Sequence, residues 1–241
     1  MNVSGGNMRV LQTVYEDDDL IVIDKPAGLA VQGGECVISS VDDILAAQLG
    51  YRPFLVHRLD KGTSGLLMVA KNKVAAALYS RLIQGGDIRK IYLALCSSHP
   101  ANPTGIIEEP LRQRGEMRDA LTEYRILASS ASYSLIQLRL GTGRMHQIRM
   151  HLSGIACPIL GDDKYGDFPL NKRLRKERAV RRLMLHAWSL GFPIPSKSGA
   201  LRTELRTLLS DIPDCFQPFM QELGLDPRSV NPDSGPASMP T

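Results

Sequence analysis

His57-Arg58-Leu59-Asp60-Lys61-Gly62-Thr63-Ser64-Gly65 is a polar, glycine-containing turn between two apolar runs, Phe54-Leu55-Val56 ahead of it and Leu66-Leu67-Met68-Val69-Ala70 behind it. Short apolar runs bounded by turn residues read as strands, here over residues 54–58 and 66–70. A loop rising from two core strands is held rigidly, as a catalytic carboxylate requires, so Asp60 is a candidate. Gly62 and Gly65 permit close approach or unusual backbone angles, and Thr63 and Ser64 can hydrogen-bond the loop to itself. The same residues also suit a structural turn in which Asp60 pairs with Arg58 or caps a backbone amide.

Working outward, residues 10–15 and 20–23 read as strands joined through the acidic turn Glu16-Asp17-Asp18-Asp19, and Lys25-Pro26-Ala27-Gly28 ends the second. A helix is predicted over 41–49, capped by Ser39 or Ser40 and stopped by Gly50. Another is capped by Asn72, runs to about Gln84 and ends at Gly85-Gly86. Strands follow at 90–96, 121–128 and 133–140, then a helix over 144–153 ending at Gly154. Residues 170–182 read as either a basic helix or a mobile loop. Residues 183–192 and 200–206 form a hairpin across 195–199, and Pro213 opens a last short helix. Strands outnumber helices and come in hairpin-like succession. The expected fold is therefore α+β, with a mixed, largely antiparallel central sheet and flanking helices. Residues 1–14 and 223–241 read as flexible ends around one folded domain, 15–222.

The chain has 241 residues, 43% of them hydrophobic and 22% charged, enough for one substantial core. The net charge of +4 permits a nucleic-acid partner without demanding one. Its distribution says more: residues 1–60 carry nine acids and four bases, whereas 141–182 carry ten bases and four acids. Cys36, Cys96, Cys157 and Cys215 form no C-x-x-C pair, so no zinc site is expected, and they read as reduced thiols of a cytoplasmic protein. No apolar stretch approaches a membrane span. Neither a Walker A loop nor a G-x-G-x-x-G loop is present.

Three further segments could carry chemistry. In the block from Thr142 to His151, helical spacing places His146, Arg149 and Met150 on one face, so Arg149 could enter a site to pair with a buried carboxylate. Thr142 and Gly143 sit where that helix would begin. A solvated basic face is the alternative. In Lys90-Ile91-Tyr92-Leu93-Ala94, alternation places Lys90, Tyr92 and Ala94 on one side of a strand, where Tyr92 is either a core residue or a platform against a base. Seven of the eleven residues from Lys172 to Arg182 are basic. The run is either a solvated face or a binding surface for RNA phosphates.

Together these pieces resemble the RluA-type pseudouridine synthases, nearest to those acting on large-subunit ribosomal RNA. The string HRLDKGTSGLLMVAK from His57 to Lys71 is similar to that family's signature. Tyr15-Glu16-Asp17-Asp18 with Ile21 to Gly28, then Lys90 to Ala94, Thr142 to His151, Pro158-Ile159-Leu160-Gly161-Asp162 and Leu185-His186-Ala187 follow in the family's order. The resemblance implies a sheet crossed by an active-site cleft, with Asp60 as the catalytic aspartate, Arg149 paired with it and Tyr92 packed against the target base. It implies that Arg58 helps displace the target nucleotide, with His57, Thr63, Ser64 and His186 in support. Arg144, His146, Lys172, Arg173, Arg175 and Lys176 complete the candidate RNA contacts. Many relatives carry a small RNA-binding domain ahead of the segment at Tyr15. About fourteen residues precede it here, so the chain reads as a short-form member or a truncated one.

The implied reaction breaks the bond between uracil N1 and ribose, turns the base and joins its C5 to the ribose. It is redox-neutral and transfers no phosphate, so no metal or cofactor is expected. Asp60 would attack ribose C1′ or uracil C6, or help expel the base, after the nucleotide is flipped out. The expected partner is large-subunit ribosomal RNA, or transfer RNA, bound by a monomer. Two other classes stay open: a non-catalytic RNA-binding or ribosome-assembly factor, and a carboxylate glycosidase or nucleosidase, which generally uses a second acid.

Overall fold

The computed structural model describes residues 10–34, 38–195 and 201–232. β1 (Gln12–Glu16) and β2 (Leu20–Lys25) form a hairpin around Asp17, whose carboxylate accepts the backbone N–H groups of Asp19 and Leu20. α1 (Val41–Leu49) starts at Ser40, which forms a reciprocal capping box with Asp43, and stops at Gly50 in the left-handed region. β3 (Phe54–Leu55) and β4 (Ser64–Ala70) flank the Asp60 loop. α2 (Lys73–Gly85) is capped by Asn72 and ended by Gly86 at φ 84°. Apart from that of β3, these boundaries follow from local side-chain chemistry and match the expectations to within a residue or two.

β5 (Arg89–Cys96), β6 (Thr104–Ile107), β7 (Leu111–Gln113), β8 (Glu116–Arg118), β9 (Thr122–Ser129) and β10 (Ser134–Leu140) follow. Next come α3 (Gln147–Gly154), α4 (Phe168–Glu177), β11 (Leu185–Pro195), β12 (Leu201–Leu209), a 3-10 turn at Asp214–Phe216 and α5 (Gln217–Glu222). The main sheet runs β1-β2-β4-β11-β5-β10-β9-β6, with β12 paired to β11 and β3 to β4; β7 and β8 form a separate ribbon. Among the described strands the one parallel pairing is β4 with β11, at Ser64–His186 and Gly65–Ala187. The fold is α+β with a mixed, largely antiparallel sheet, as expected. β2 and β4 are apolar on both faces because both are covered. Leu20, Val22, Leu66 and Met68 pack with Tyr79 and Leu82 of α2, while Ile21, Ile23, Leu67 and Val69 pack with Val41 and Leu45 of α1.

The parallel junction brings the loops before β4 and before β11 out at the same end of the sheet. Gly65 makes the close approach possible: at φ 105°, a Cβ there would lie 2.2 Å from the Ala187 carbonyl oxygen.

Several expectations need correction. β3 stops at Leu55 rather than residue 58, because the His57 imidazole Nε2 accepts the Met68 N–H at 2.9 Å in place of a further ladder bond. α3 starts at Gln147, not Arg144. The Gln147 side chain accepts from Thr142 Oγ1 and Arg144 N and donates to Leu121 O and Thr122 Oγ1, which holds residues 142–146 as a loop. The 170–182 segment resolves into α4 and a connecting loop. β6, β7 and β8 were not anticipated; they are short, with several exposed positions, and are held by backbone pairing instead of an apolar pattern. The tail expected from residue 223 onward is packed as far as Pro232: Leu223, Leu225 and Val230 sit against the core, and Pro232 O accepts from Gln137 and Arg89. Cys36, the turn at 196–199, the first nine residues and 233–241 lie outside the described residues.

Candidate active site

Asp60 lies at the turn before β4, where Thr63 N donates to Asp60 O at 3.1 Å. The loop is tied from below by Lys25, at the end of β2. Lys25 is fully buried, and its Nζ donates to Pro26 O, Leu29 O and Lys61 O at 3.0, 2.9 and 3.3 Å. Gly28 N also donates to Lys61 O, at 2.7 Å. Burial, then the Arg182 charge, lowers the Lys25 pKa to about 7, while the three carbonyl acceptors favour its proton. The Lys25-Pro26-Ala27-Gly28 turn thus clamps the backbone that presents Asp60.

The Asp60 carboxylate meets two residues from the start of α3. Arg149 Nη1 lies 3.4 Å from Oδ2, and His146 Nε2 lies 3.8 Å from Oδ1. His146 precedes the helix at φ 57°, a left-handed conformation that turns its ring back to Tyr165, whose hydroxyl is 3.1 Å from Nδ1. Burial lowers the His146 pKa more than the Asp60 charge raises it.

Arg149 is aimed chiefly by a different acid. Its Nε and Nη2 bond Asp162 Oδ2 and Oδ1 at 2.8 and 2.7 Å, a bidentate pair. Asp162 Oδ1 also accepts Lys164 N and Tyr165 N. Burial alone would lower the arginine pKa and raise the aspartate pKa. The hydrogen bonds and opposite charges win on both sides, so both groups are held ionised. Asp163 adds a third, solvent-exposed contact to Nη2, and Tyr165 stacks its ring 5.2 Å from the guanidinium carbon.

Tyr92, on β5, is buried and faces the same cavity, and burial followed by the Asp60 charge raises its pKa well above the ordinary value. The cavity measures about 230 Å³, and Arg58, His57, Thr63, Arg144 and Lys90 also line it. Of these, Arg58 is exposed at the rim, and Arg144 donates to Asp119 O. The structure therefore brings Asp60, Arg149, Tyr92, Arg58, His57, Thr63, Arg144 and His146 to one pocket.

Ser64 and His186 are placed differently from expectation. Both are buried, and neither lines this pocket or the cleft beside it. Ser64 Oγ bonds His186 Nδ1 at 2.9 Å and accepts from Arg182 Nη2 at 2.5 Å. They lock the β4–β11 junction.

The basic run also divides. A second cleft, about 860 Å³, adjoins the first through Asp60, His146 and Arg149, and Phe168, Lys172 and Arg175 of α4 line it with Arg181. Arg173 instead pairs with Glu177, and Arg178 pairs with Glu222 over the rings of Tyr133 and Phe219. Arg173 and Lys176 line neither cleft and stand exposed on the surface of α4.

The residues that sequence reasoning missed are Asp162, Tyr165, Gln147 and Lys25. Asp162 was visible only as part of a motif, and its spacing of 13 from Arg149 follows no helical or strand period. Among the described residues no group of three or more His, Cys, Asp or Glu could hold a metal ion, and no helix is long and apolar enough to cross a membrane.

The chain matches, over residues 19–154, the family described as RNA pseudouridylate synthase. It is 35% identical over 212 residues to the tRNA pseudouridine synthase C of Haemophilus ducreyi, a match covering 77% of this chain and 86% of that protein. It is 40% identical over 170 residues to the ribosomal large subunit pseudouridine synthase C of Rickettsia typhi, covering 64% of this chain and 56% of the relative, so the match spans little more than half of that protein's length. The solved structure of human RNA Pseudouridylate Synthase Domain Containing 4 superposes with a TM-score of 0.72 at 30% identity, over 89% of this chain and 94% of the other. With the family match covering more than half of the sequence and including both Asp60 and Arg149, the chain belongs to the RNA pseudouridylate synthase family.

Proposed function

We propose that this protein isomerises uridine to pseudouridine in structured RNA, with large-subunit ribosomal RNA as substrate and Asp60 as the nucleophile. The observation that carries the reading is the Asp60 carboxylate set between Arg149 and His146 at the mouth of a cavity of about 230 Å³ that Tyr92 lines. In this reading a flipped-out uridine enters the cavity with its base against Tyr92, and Arg58 occupies the space it leaves. Asp60 promotes cleavage of the N1–C1′ bond, the base turns, C5 bonds to C1′ with the carboxylate left free, the C5 proton is released to solvent and N1 takes up a proton in its place. Arg149 keeps a fixed positive charge beside the carboxylate throughout. Arg144 and the α4 cations contact the RNA backbone. The protein acts as a monomer, in the cytoplasm, through the single domain that includes residues 15–222.

The test is release of tritium from large-subunit ribosomal RNA transcribed with [5-³H]uridine. Wild type releases it, whereas Asp60→Asn and Asp60→Ala do not, though both still bind the RNA. Full release by either folded variant would remove Asp60 from the nucleophile's role, and liberation of free uracil would point to a nucleosidase. A second reading, transfer RNA as the substrate, is favoured by one observation: the Haemophilus ducreyi relative is named for that RNA and is matched over 86% of its length. Labelled transfer RNA transcripts in the same assay separate the two.

A further inference from the structure

Lys90 and Tyr92 are two residues apart on β5, so their side chains stand on one face of the strand, about 7 Å apart along it. Both line the cavity that holds Asp60. Lys90 is 8% exposed, yet among the described residues its ammonium has no hydrogen bond or ion pair. Burial pushes its pKa down. Its stem is packed away while the ammonium end opens into the cavity, where no described group of the surrounding fold pairs with it. The space beside it is open: a Cβ on Gly143 would stand 3.8 Å from Nζ, and Gly143 has none. Arg58 and Arg144 line the same cavity, and its one lining carboxylate, Asp60, already faces Arg149. The cavity therefore has positive charge to spare, and Lys90 is its buried member.

We propose that Lys90 is the phosphate anchor of this pocket, gripping a phosphate attached to the target uridine while Tyr92 faces its base. The two-residue offset along β5 matches the separation between a nucleobase and its own phosphate. This assignment rests on the proposed binding of a flipped-out uridine. It explains why a lysine is kept where an apolar residue would make a more stable strand.

The test uses small probes, so it does not depend on knowing the RNA. Binding of uridine, uridine 5′-monophosphate and uridine 3′-monophosphate is measured by NMR titration for wild type, Lys90→Met and Lys90→Arg. A charge-assisted contact predicts that wild type prefers one of the nucleotides over uridine by roughly tenfold. Lys90→Met should lose that preference while binding uridine as before, and Lys90→Arg should restore it. Lys90→Met should also withstand more urea than wild type, whereas a lysine serving the fold would leave it weaker. A preference for nucleotide that survives in Lys90→Met overturns the assignment, as does an equal loss of uridine and nucleotide binding, which would place the contact on the base. Failure of wild type to release tritium from any RNA would overturn the proposed reaction and leave this binding result standing.

Discussion

Asp162 and Asp163 are neighbours in sequence, and both reach Nη2 of Arg149, at 2.7 and 3.1 Å. Their side chains are 1% and 93% exposed, and that of Arg149 is 7% exposed. Replacing each by asparagine therefore removes one carboxylate from the same guanidinium in opposite solvent settings. In Asp162→Asn the bidentate partner of a buried cation is lost, and breaking such a pair costs about 3–5 kcal/mol. The amide oxygen still accepts one hydrogen bond, so the lower end, about 3 kcal/mol, is expected. With a urea dependence of roughly 2–3 kcal/mol per molar, the unfolding midpoint should fall by about 1 M. Tritium release should fall with it, because the bidentate grip on Arg149 is lost and the carboxylates left to it are Asp60, at 3.4 Å, and the solvent-exposed Asp163, at 3.1 Å. Asp163→Asn should leave both the midpoint and the turnover within error of wild type, since solvent screens the exposed contact. The readouts are urea unfolding followed by circular dichroism and the tritium assay on the folded variants. Equal effects in the two variants, or a wild-type midpoint and rate in Asp162→Asn, would refute the argument that Asp162 positions Arg149.

The remaining predictions concern pH and salt. His186 is 1% exposed, and burial, followed by the Arg182 charge, lowers its pKa to about 3. The folded value lies below the unfolded one, so the unfolded chain takes up this proton first as pH falls beneath about 6.5, and stability declines from there toward pH 3. The contribution at pH 5 is a loss of about 2 kcal/mol relative to pH 7. Urea midpoints should show that decline in wild type and a shallower one in His186→Gln; identical slopes would place the acid sensitivity elsewhere. On α4, the combined variant Lys172→Gln, Arg175→Gln and Arg181→Gln should flatten the salt dependence of RNA binding by about two ion equivalents, at about 0.7 per phosphate contact on a single strand. An unchanged slope would return this face to an ordinary solvated surface.

The secondary structure was legible wherever a side chain acts on its own backbone. Ser40, Gly50, Asn72 and Gly86 mark the ends of α1 and α2 because capping and left-handed turns are local events. The paired apolar runs around Asp60 identified β4, and the ordered motifs identified the family. The start of α3 was misread because Gln147 reaches across to Leu121 and Thr122, at the start of β9, and holds residues 142–146 out of the helix. The edge strand β6 escaped because it borrows its order from β9.

For the site, the sequence alone determined which residue types are available: an aspartate in a rigid turn, an arginine on a helix, a tyrosine on a strand and a basic run. Their division of labour depends on which atoms face one another across long separations in the chain, and only the tertiary structure decides that. It turned Ser64 and His186 into a buried lock at the β4–β11 junction, split the basic run between the cleft and the far side of α4, and made Asp162 the principal partner of Arg149. Charge pairing and desolvation act through distance and burial, and neither is written in the order of the residues.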